Sequence, residues 1–145
     1  IRDLPADFLS IKAGINIYGS GSLNPRTFIP AIIGFVHIVR EKHPETPLAV
    51  ISPIFSAFRE TTPNSVDFTL AAMREEVAEA VKLMADAGDR NIHYVDGLKL
   101  FGPDLAHLLP DELHPDAEGY KIMGENFVEH VASRFFNSPQ RVMAN

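Results

Sequence analysis

The chain has 145 residues, of which 46% are hydrophobic and 22% charged, and its formal net charge is −6. This length and balance predict one globular domain over residues 1–145, and an acidic chain without clustered Lys and Arg is not expected to bind nucleic acid. The sequence holds no apolar run long enough to span a membrane and no cysteine, which excludes disulfides and thiolate metal sites.

Short apolar runs alternate along the chain with longer segments of helical spacing. The short runs lack alternating polar residues, which is typical of parallel strands covered on both faces. The longer segments repeat apolar residues at helical intervals and predict amphipathic helices. In chain order the predicted elements are a strand at 8–11, a helix at 25–41, a strand at Leu48–Ile51, a helix at 66–87, a strand at Ile92–Val95 and a helix at 115–136.

Three details accompany these elements. Residues 18–25, rich in Gly and Ser, are interpreted as a flexible loop that could border a cleft. Gly88 is placed to end the second helix, and Pro115 to occupy the first position of the third. That third helix is expected to bury Tyr120 among its apolar residues.

The order of strands and helices predicts an open α/β fold with a parallel sheet. Three strands are few for such a sheet, so the fold is expected to be incomplete, with its first strands missing. We expect one or two further strand–helix units before Ile1, or a second chain that completes the sheet. An open sheet edge would otherwise favour self-association.

Asp111 precedes His114 by three residues, in a turn between Pro110 and Pro115. An Asp at this spacing can accept a hydrogen bond from one ring nitrogen of the His, leaving the other free to take a proton from a hydroxyl. The same spacing is common in surface loops, where the Asp only caps a turn. A metal site that adds His107 is the other alternative, but Pro110 interrupts the segment that would align these ligands, and we expect no metal.

Gly14 and Asn16 directly follow the first predicted strand. A glycine there lets the backbone approach a ligand, and an Asn amide can donate to a developing oxyanion. Gly and Asn also favour a plain turn at a strand end. Ser52 and Ser56, after the second strand, are interpreted as turn residues.

Taken together, the Gly-x-Asn element, the late Asp-x-x-His-Pro element and the stretches 40–44 and 95–98 resemble the SGNH (GDSL-type) hydrolase family. The resemblance implies a flavodoxin-like three-layer α/β/α sandwich. It implies Asn16 as oxyanion donor with Gly14 as its supporting glycine, Asp111 as orienting acid and His114 as general base. Ile17 stands where the family often has Asp.

The family's Gly-Asp-Ser element, which holds the nucleophile, has no counterpart in this sequence. We therefore expect the nucleophilic serine upstream of Ile1, and this chain alone to be inactive. The resemblance implies a serine ester hydrolase (a carboxylesterase or acylhydrolase) that acts on a small acyl ester without a cofactor. An O-acyltransferase that uses the same residues and a non-catalytic α/β binding module remain alternatives.

Overall fold

The computed structural model describes residues 1–136, and its three strands form one parallel sheet. The strands are β1 (Leu9–Lys12), β2 (Leu48–Ile51) and β3 (Ile92–Val95), in the spatial order β1-β2-β3. Both pairings are parallel, and Leu48 of β2 pairs with Leu9 and with Ile92. The predicted parallel sheet is confirmed, although β1 begins one residue later than expected. All four residues of β2 are buried, as the absence of polar residues in that run predicts.

Helix α1 (Ile15–Ser20) occupies part of the segment interpreted as a flexible loop, which is a correction. The segment is ordered by tertiary contacts, because the Tyr18 hydroxyl is buried and donates to the Thr62 carbonyl at 2.9 Å. The Asn64 side chain also donates to the Tyr18 carbonyl at 3.0 Å. Neither partner lies near α1 in the sequence, so the local Gly and Ser content was misleading.

Helix α2 (Pro25–Arg40) begins as its sequence predicts. Asn24 accepts a hydrogen bond from the backbone N–H of Arg26, and the Thr27 hydroxyl accepts one from the backbone N–H of Asn24. This reciprocal cap satisfies N–H groups that the first turn of a helix leaves unpaired. The helix packs its apolar face on the sheet through Phe28, Ile32, Val36 and Val39.

After β2 come the short helix α3 (Ala57–Thr61) and the long helix α4 (Leu70–Asp86). Helix α4 begins four residues later than predicted, because the Asn64 side chain accepts hydrogen bonds from the N–H groups of Val66 and Phe68. These bonds hold the preceding residues in a turn, and Thr69 then caps the helix. Gly88 follows the end of α4 with φ of 109°, as expected for a residue that stops a helix.

The C-terminal layer consists of two short 3₁₀ segments, Gly97–Lys99 and Pro103–Leu108, and helix α5 (Ala117–Phe127). Helix α5 continues through a π-helical turn, Val128–Ala132, into α6 (Ser133–Phe135). Asp116 caps α5 by accepting from the Gly119 N–H at 2.8 Å, so Pro115 lies before the cap rather than at the first helical position. Tyr120 is 51% exposed, which contradicts the prediction that it is buried.

Two apolar clusters, one on each face of the sheet, give the fold its three layers. The first joins β1 and β2 to α2 and α4, and the second joins β2 and β3 to the C-terminal layer. Alternate residues of β2 supply the two clusters, Leu48 and Val50 to the first and Ala49 and Ile51 to the second. No helix within residues 1–136 is long and apolar enough to cross a membrane.

A groove of about 370 Å³ runs beside the open edge of the sheet, between β1 and α2. Its lining is mainly apolar, and it includes the half-exposed side chain of Phe35. The groove shares Lys12, Ile15 and Asn16 with the cleft described below. Within residues 1–136 no strand pairs with the outer edge of β1, and this edge lies next to apolar surface.

Candidate active site

A cleft of about 430 Å³ lies at the carboxyl ends of β1 and β2. Loops at this edge of a parallel sheet commonly supply reactive groups, because the strands deliver several chain segments to one place. The lining comes from β1 and α1, from the loop after β2, and from the loop and first turns of α5. It consists of Lys12, Ile15, Asn16, Gly19, Ser20, Ile54, Phe55, Ser56, Leu113, His114, Pro115 and Tyr120.

Asp111 and His114 are hydrogen-bonded through their side chains. Nδ1 of His114 lies 2.7 Å from Oδ2 of Asp111. Because an ionised carboxylate can only accept, this contact places the proton on Nδ1 and leaves Nε2 of the neutral ring as an acceptor. Both side chains are more than half exposed, so the pair is open to a reacting partner.

The second oxygen of Asp111 organises the loop. Oδ1 accepts from the backbone N–H of His114 at 2.7 Å and from that of Leu113 at 3.0 Å. The hydrogen bond from the His114 ring, together with these backbone N–H groups, holds the pKa of Asp111 well below its ordinary value. One carboxylate thus shapes the turn and orients the imidazole.

Glu112, inside this loop, has φ of 60°, a conformation that costs energy for a residue with a side chain. Its carbonyl accepts a hydrogen bond from the Ser56 hydroxyl at 2.7 Å and another from Arg59 Nη1 at 3.1 Å. The interpretation of Ser56 as a local turn residue is therefore too narrow, since its hydroxyl bonds a segment 56 positions away. No local pattern in the sequence indicates this contact.

Asn16, the second residue of α1, is exposed and lines the same cleft as His114. Gly14, two residues earlier in the chain, lines the groove beside β1 rather than the cleft. Gly14 has φ of 129°, and a Cβ atom there would lie 2.3 Å from Cγ of Pro53. The glycine is thus required by backbone conformation and by the close approach of the next loop, which sets the direction in which α1 leaves the sheet.

Two further residues of the cleft were not recognised in the sequence. Lys12 ends β1 and lines the cleft; the residue is exposed, but the surrounding atoms remove part of its hydration, which lowers the pKa of its ammonium group. Tyr120 projects into the cleft from α5. Lys12 directly follows a predicted apolar strand, and Tyr120 has the spacing of a core residue in a predicted helix. The local sequence therefore does not indicate that either one lines a cleft.

Two serines line the cleft, and the hydroxyl of each is bonded elsewhere. The Ser20 hydroxyl donates to the Asn16 carbonyl at 2.8 Å and contacts Ser22 at 2.9 Å. The Ser56 hydroxyl donates to Glu112. Neither bonds to His114, so neither serine has the partner that would activate a nucleophile.

The alternative metal site would combine His107 with Asp111 and His114. Nδ1 of His107 lies 3.1 Å from the carbonyl of Asp104, in its own 3₁₀ segment. Within residues 1–136, no group of three or more His, Asp or Glu side chains is placed to hold a metal ion.

Comparisons with known proteins bear on the family and the fold of the chain. Residues 1–122 match the sequence model of the GDSL-like lipase/acylhydrolase family. Among solved structures, the chain is similar to the salicylyl-acyltransferase SsfX3 from a tetracycline biosynthetic pathway, with 36% identity and a TM-score of 0.80 over 91% of this chain. A GDSL-like lipase candidate from Bacteroides ovatus shares the fold, with 22% identity and a TM-score of 0.70 over 91% of this chain. No curated protein sequence matches.

The chain spans 39% of the length of the acyltransferase structure and 37% of the length of the Bacteroides structure. The similarity therefore concerns one portion of each of these larger proteins. Residues 1–122, which match the family model, include all three strands of the sheet and the loop with Asp111 and His114.

Proposed function

Because this chain belongs to the GDSL-like lipase/acylhydrolase family, we propose that it supplies the acid, the base and an oxyanion donor of a serine acyl-transfer centre. In this proposal His114 is the general base, Asp111 orients it and Asn16 donates to the oxyanion. The single observation that supports it most directly is the Asp111–His114 hydrogen bond at the rim of a cleft that Asn16 also lines. The nucleophilic serine is proposed to come from outside this chain.

The chemistry follows from the free ring nitrogen. Nε2 of His114 takes the proton of the serine hydroxyl as the serine oxygen attacks the ester carbonyl. The side-chain amide of Asn16 stabilises the negative charge that forms on the carbonyl oxygen. Collapse of this intermediate breaks the bond to the alcohol, which leaves with the proton from His114. A second hydroxyl, from water or from an acceptor alcohol, then takes the acyl group by the same steps in reverse order.

The apolar side chains of the cleft, Ile15, Ile54 and Phe55, are suited to an acyl group of small size. Hydrolysis and acyl transfer need the same three residues and differ in which hydroxyl reaches the acyl-enzyme. Similarity to a salicylyl-acyltransferase at 36% identity favours acyl transfer as a second candidate function. The shared cleft of Asn16 and His114 favours both of these over a non-catalytic binding module.

The test uses the full-length gene product and p-nitrophenyl esters of short and aromatic acids. Release of p-nitrophenol measures formation of the acyl-enzyme, and mass spectrometry with and without an added alcohol separates hydrolysis from transfer. His114→Ala should abolish turnover, while His107→Ala, a matched exposed histidine, should retain it. If His114→Ala turned over the ester as fast as His107→Ala and the wild type, the proposed role of His114 would be refuted.

A further inference from the structure

We infer that Arg59 and Ser56 are positioning residues that hold the Asp111–His114 loop in the geometry required by the general base. The inference rests on the proposed function for its effect on turnover, although the contacts themselves do not depend on it. Ser56 is the residue before α3 and Arg59 lies within α3, so both are on a different element from the loop.

The contact is a double hydrogen bond to one carbonyl. The Ser56 hydroxyl and Arg59 Nη1 both donate to the Glu112 carbonyl, and Arg59 Nη1 also donates to the Ser56 hydroxyl at 2.9 Å. Ser56 is 1% exposed, so its hydroxyl has little access to water as an alternative partner. A carbonyl with two donors, one of them charged, is held more strongly than one with a single neutral donor.

The position of Glu112 gives this contact its importance. Glu112 stands between Asp111 and His114, and its positive φ sets the direction in which the chain passes from one to the other. Asp111 accepts hydrogen bonds from the backbone N–H groups of the next residues, and the Glu112 N–H donates to the Leu109 carbonyl, so these bonds stay within the loop and the end of the 3₁₀ segment before it. The bonds from Ser56 and Arg59 hold the Glu112 carbonyl from a different element, and they thereby fix both the conformation of the loop and its place relative to α3.

Contacts with α4 hold Ser56 and its neighbours in place. The backbone N–H of Ser56 donates to Glu60 at 3.2 Å, and Glu60 forms an ion pair with Arg74 of α4. Arg74 is 9% exposed and also donates to the Pro53 carbonyl at 3.3 Å. A connected path of mostly half-buried polar contacts thus leads from α4 to the loop, and the two charges of the ion pair compensate each other.

Loss of the Arg59 donor should let the loop shift relative to Asn16. A displacement near 1 Å of a catalytic group can lower a rate about 100-fold, even when substrate still binds. Arg59 does not line the cleft, whereas Ser56 does. Arg59→Ala therefore separates positioning from substrate contact more cleanly than a change at Ser56.

The experiment compares Arg59→Ala, Arg59→Lys and the control Arg26→Ala in the full-length protein, with folding checked by circular dichroism. Arg26 is an exposed residue of α2 away from the cleft. For Arg59→Ala we expect kcat to fall about 10- to 100-fold while KM stays within about twofold, and for Arg59→Lys an intermediate loss. Arg26→Ala should match the wild type.

A second readout is independent of turnover. The ring-nitrogen chemical shifts of His114 report which nitrogen holds the proton, and we expect the Nδ1–H tautomer to be less populated in Arg59→Ala than in the wild type. Wild-type kcat together with wild-type His114 shifts would overturn the inference. If Arg59→Ala does not fold, Arg59→Lys decides by the same two measurements, since wild-type values there would equally overturn it.

If the wild type turns over no ester, the proposed function fails. The tautomer measurement then still tests the role of Arg59.

Discussion

Asn16 and His114 face one cleft, although Asn16 lies on α1 near the start of the chain and His114 lies in the loop before α5. Residues so far apart in sequence come together because parallel strands end at the same edge of the sheet. An amide donor and an imidazole around a common space are the arrangement that acyl transfer to and from a serine requires. The predictions below test this arrangement.

Asn16→Ala should lower kcat of the full-length enzyme about 100- to 1,000-fold with a small change in KM. The reason is that its amide would stabilise the oxyanion, which exists only in the transition state and the intermediates that resemble it. Steady-state kinetics with a p-nitrophenyl ester measure both constants. Asn16→Asp is a matched variant of nearly the same size, which removes the donor and adds a negative charge, and it should be at least as slow. A variant that changed KM alone would assign Asn16 to substrate binding instead.

His114→Ala should raise the pKa of Asp111. The imidazole hydrogen bond is the largest cause of the low pKa, and the backbone N–H groups of Leu113 and residue 114 remain to keep it below the ordinary value of about 3.9. Because the folded-state pKa is depressed, the stability that this group contributes is present above about pH 3.9 and is lost as the pH falls through the folded-state pKa.

Carboxyl carbon chemical shifts followed through an acid titration give the pKa of Asp111 directly. In His114→Ala, Asp111 should take up its proton at higher pH than in the wild type, whereas in His107→Ala it should titrate as the wild type does. An unchanged Asp111 pKa in His114→Ala would contradict the hydrogen bond between the two side chains.

Gly14→Ala should destabilise the fold by about 3 kcal/mol, from a left-handed φ and from contact with Pro53 together. Gly124→Ala serves as the control, because Gly124 lies inside α5 and a Cβ there meets nothing within 4 Å. That variant should gain about 0.5–1 kcal/mol, since Ala is the better helix former. Urea unfolding of both variants checks the difference, and similar midpoints would show that residue 14 needs no glycine.

The 145-residue chain expressed alone should self-associate, because β1 leaves a strand edge unpaired beside an apolar groove. Phe35→Lys should weaken association, since Phe35 is 45% exposed and lines that groove. Phe58→Lys replaces a Phe on α3 that is 56% exposed and lies outside the groove, and it should have no such effect. Sedimentation velocity over a range of concentrations distinguishes the two, and a monomer at all concentrations would refute the prediction.

The sheet could be read from the sequence because each strand is a short run between turn residues, and the central strand β2 is buried on both faces. β2 and β3 have the predicted bounds, since an uninterrupted apolar run between turn residues leaves few alternatives. The predicted start of α4 is four residues too early, although the local sequence marks the correct one. Asn64 and Thr69 are both residues that cap turns and helices, and they mark the end of the turn and the start of the helix.

The remaining differences come from contacts between distant segments. α1 is held by a hydrogen bond from Tyr18 to a loop beyond β2, and the hydroxyl of Ser56 bonds the loop before α5. Tyr120 has the spacing of a core residue, yet it lines the cleft and is exposed. Such relationships depend on the assembled topology, which the spacing of apolar residues does not encode.

The strand order β1-β2-β3 follows the order of the strands along the chain. During synthesis each new strand could therefore add to the side of its predecessor, and no pairing already formed would have to open to admit a later one. Growth in one direction keeps the separation between paired segments modest, which favours folding while the chain is still leaving the ribosome. A further strand would join on the β1 side, away from β3. The Asp111–His114 loop can therefore be synthesised before or after the sheet is complete.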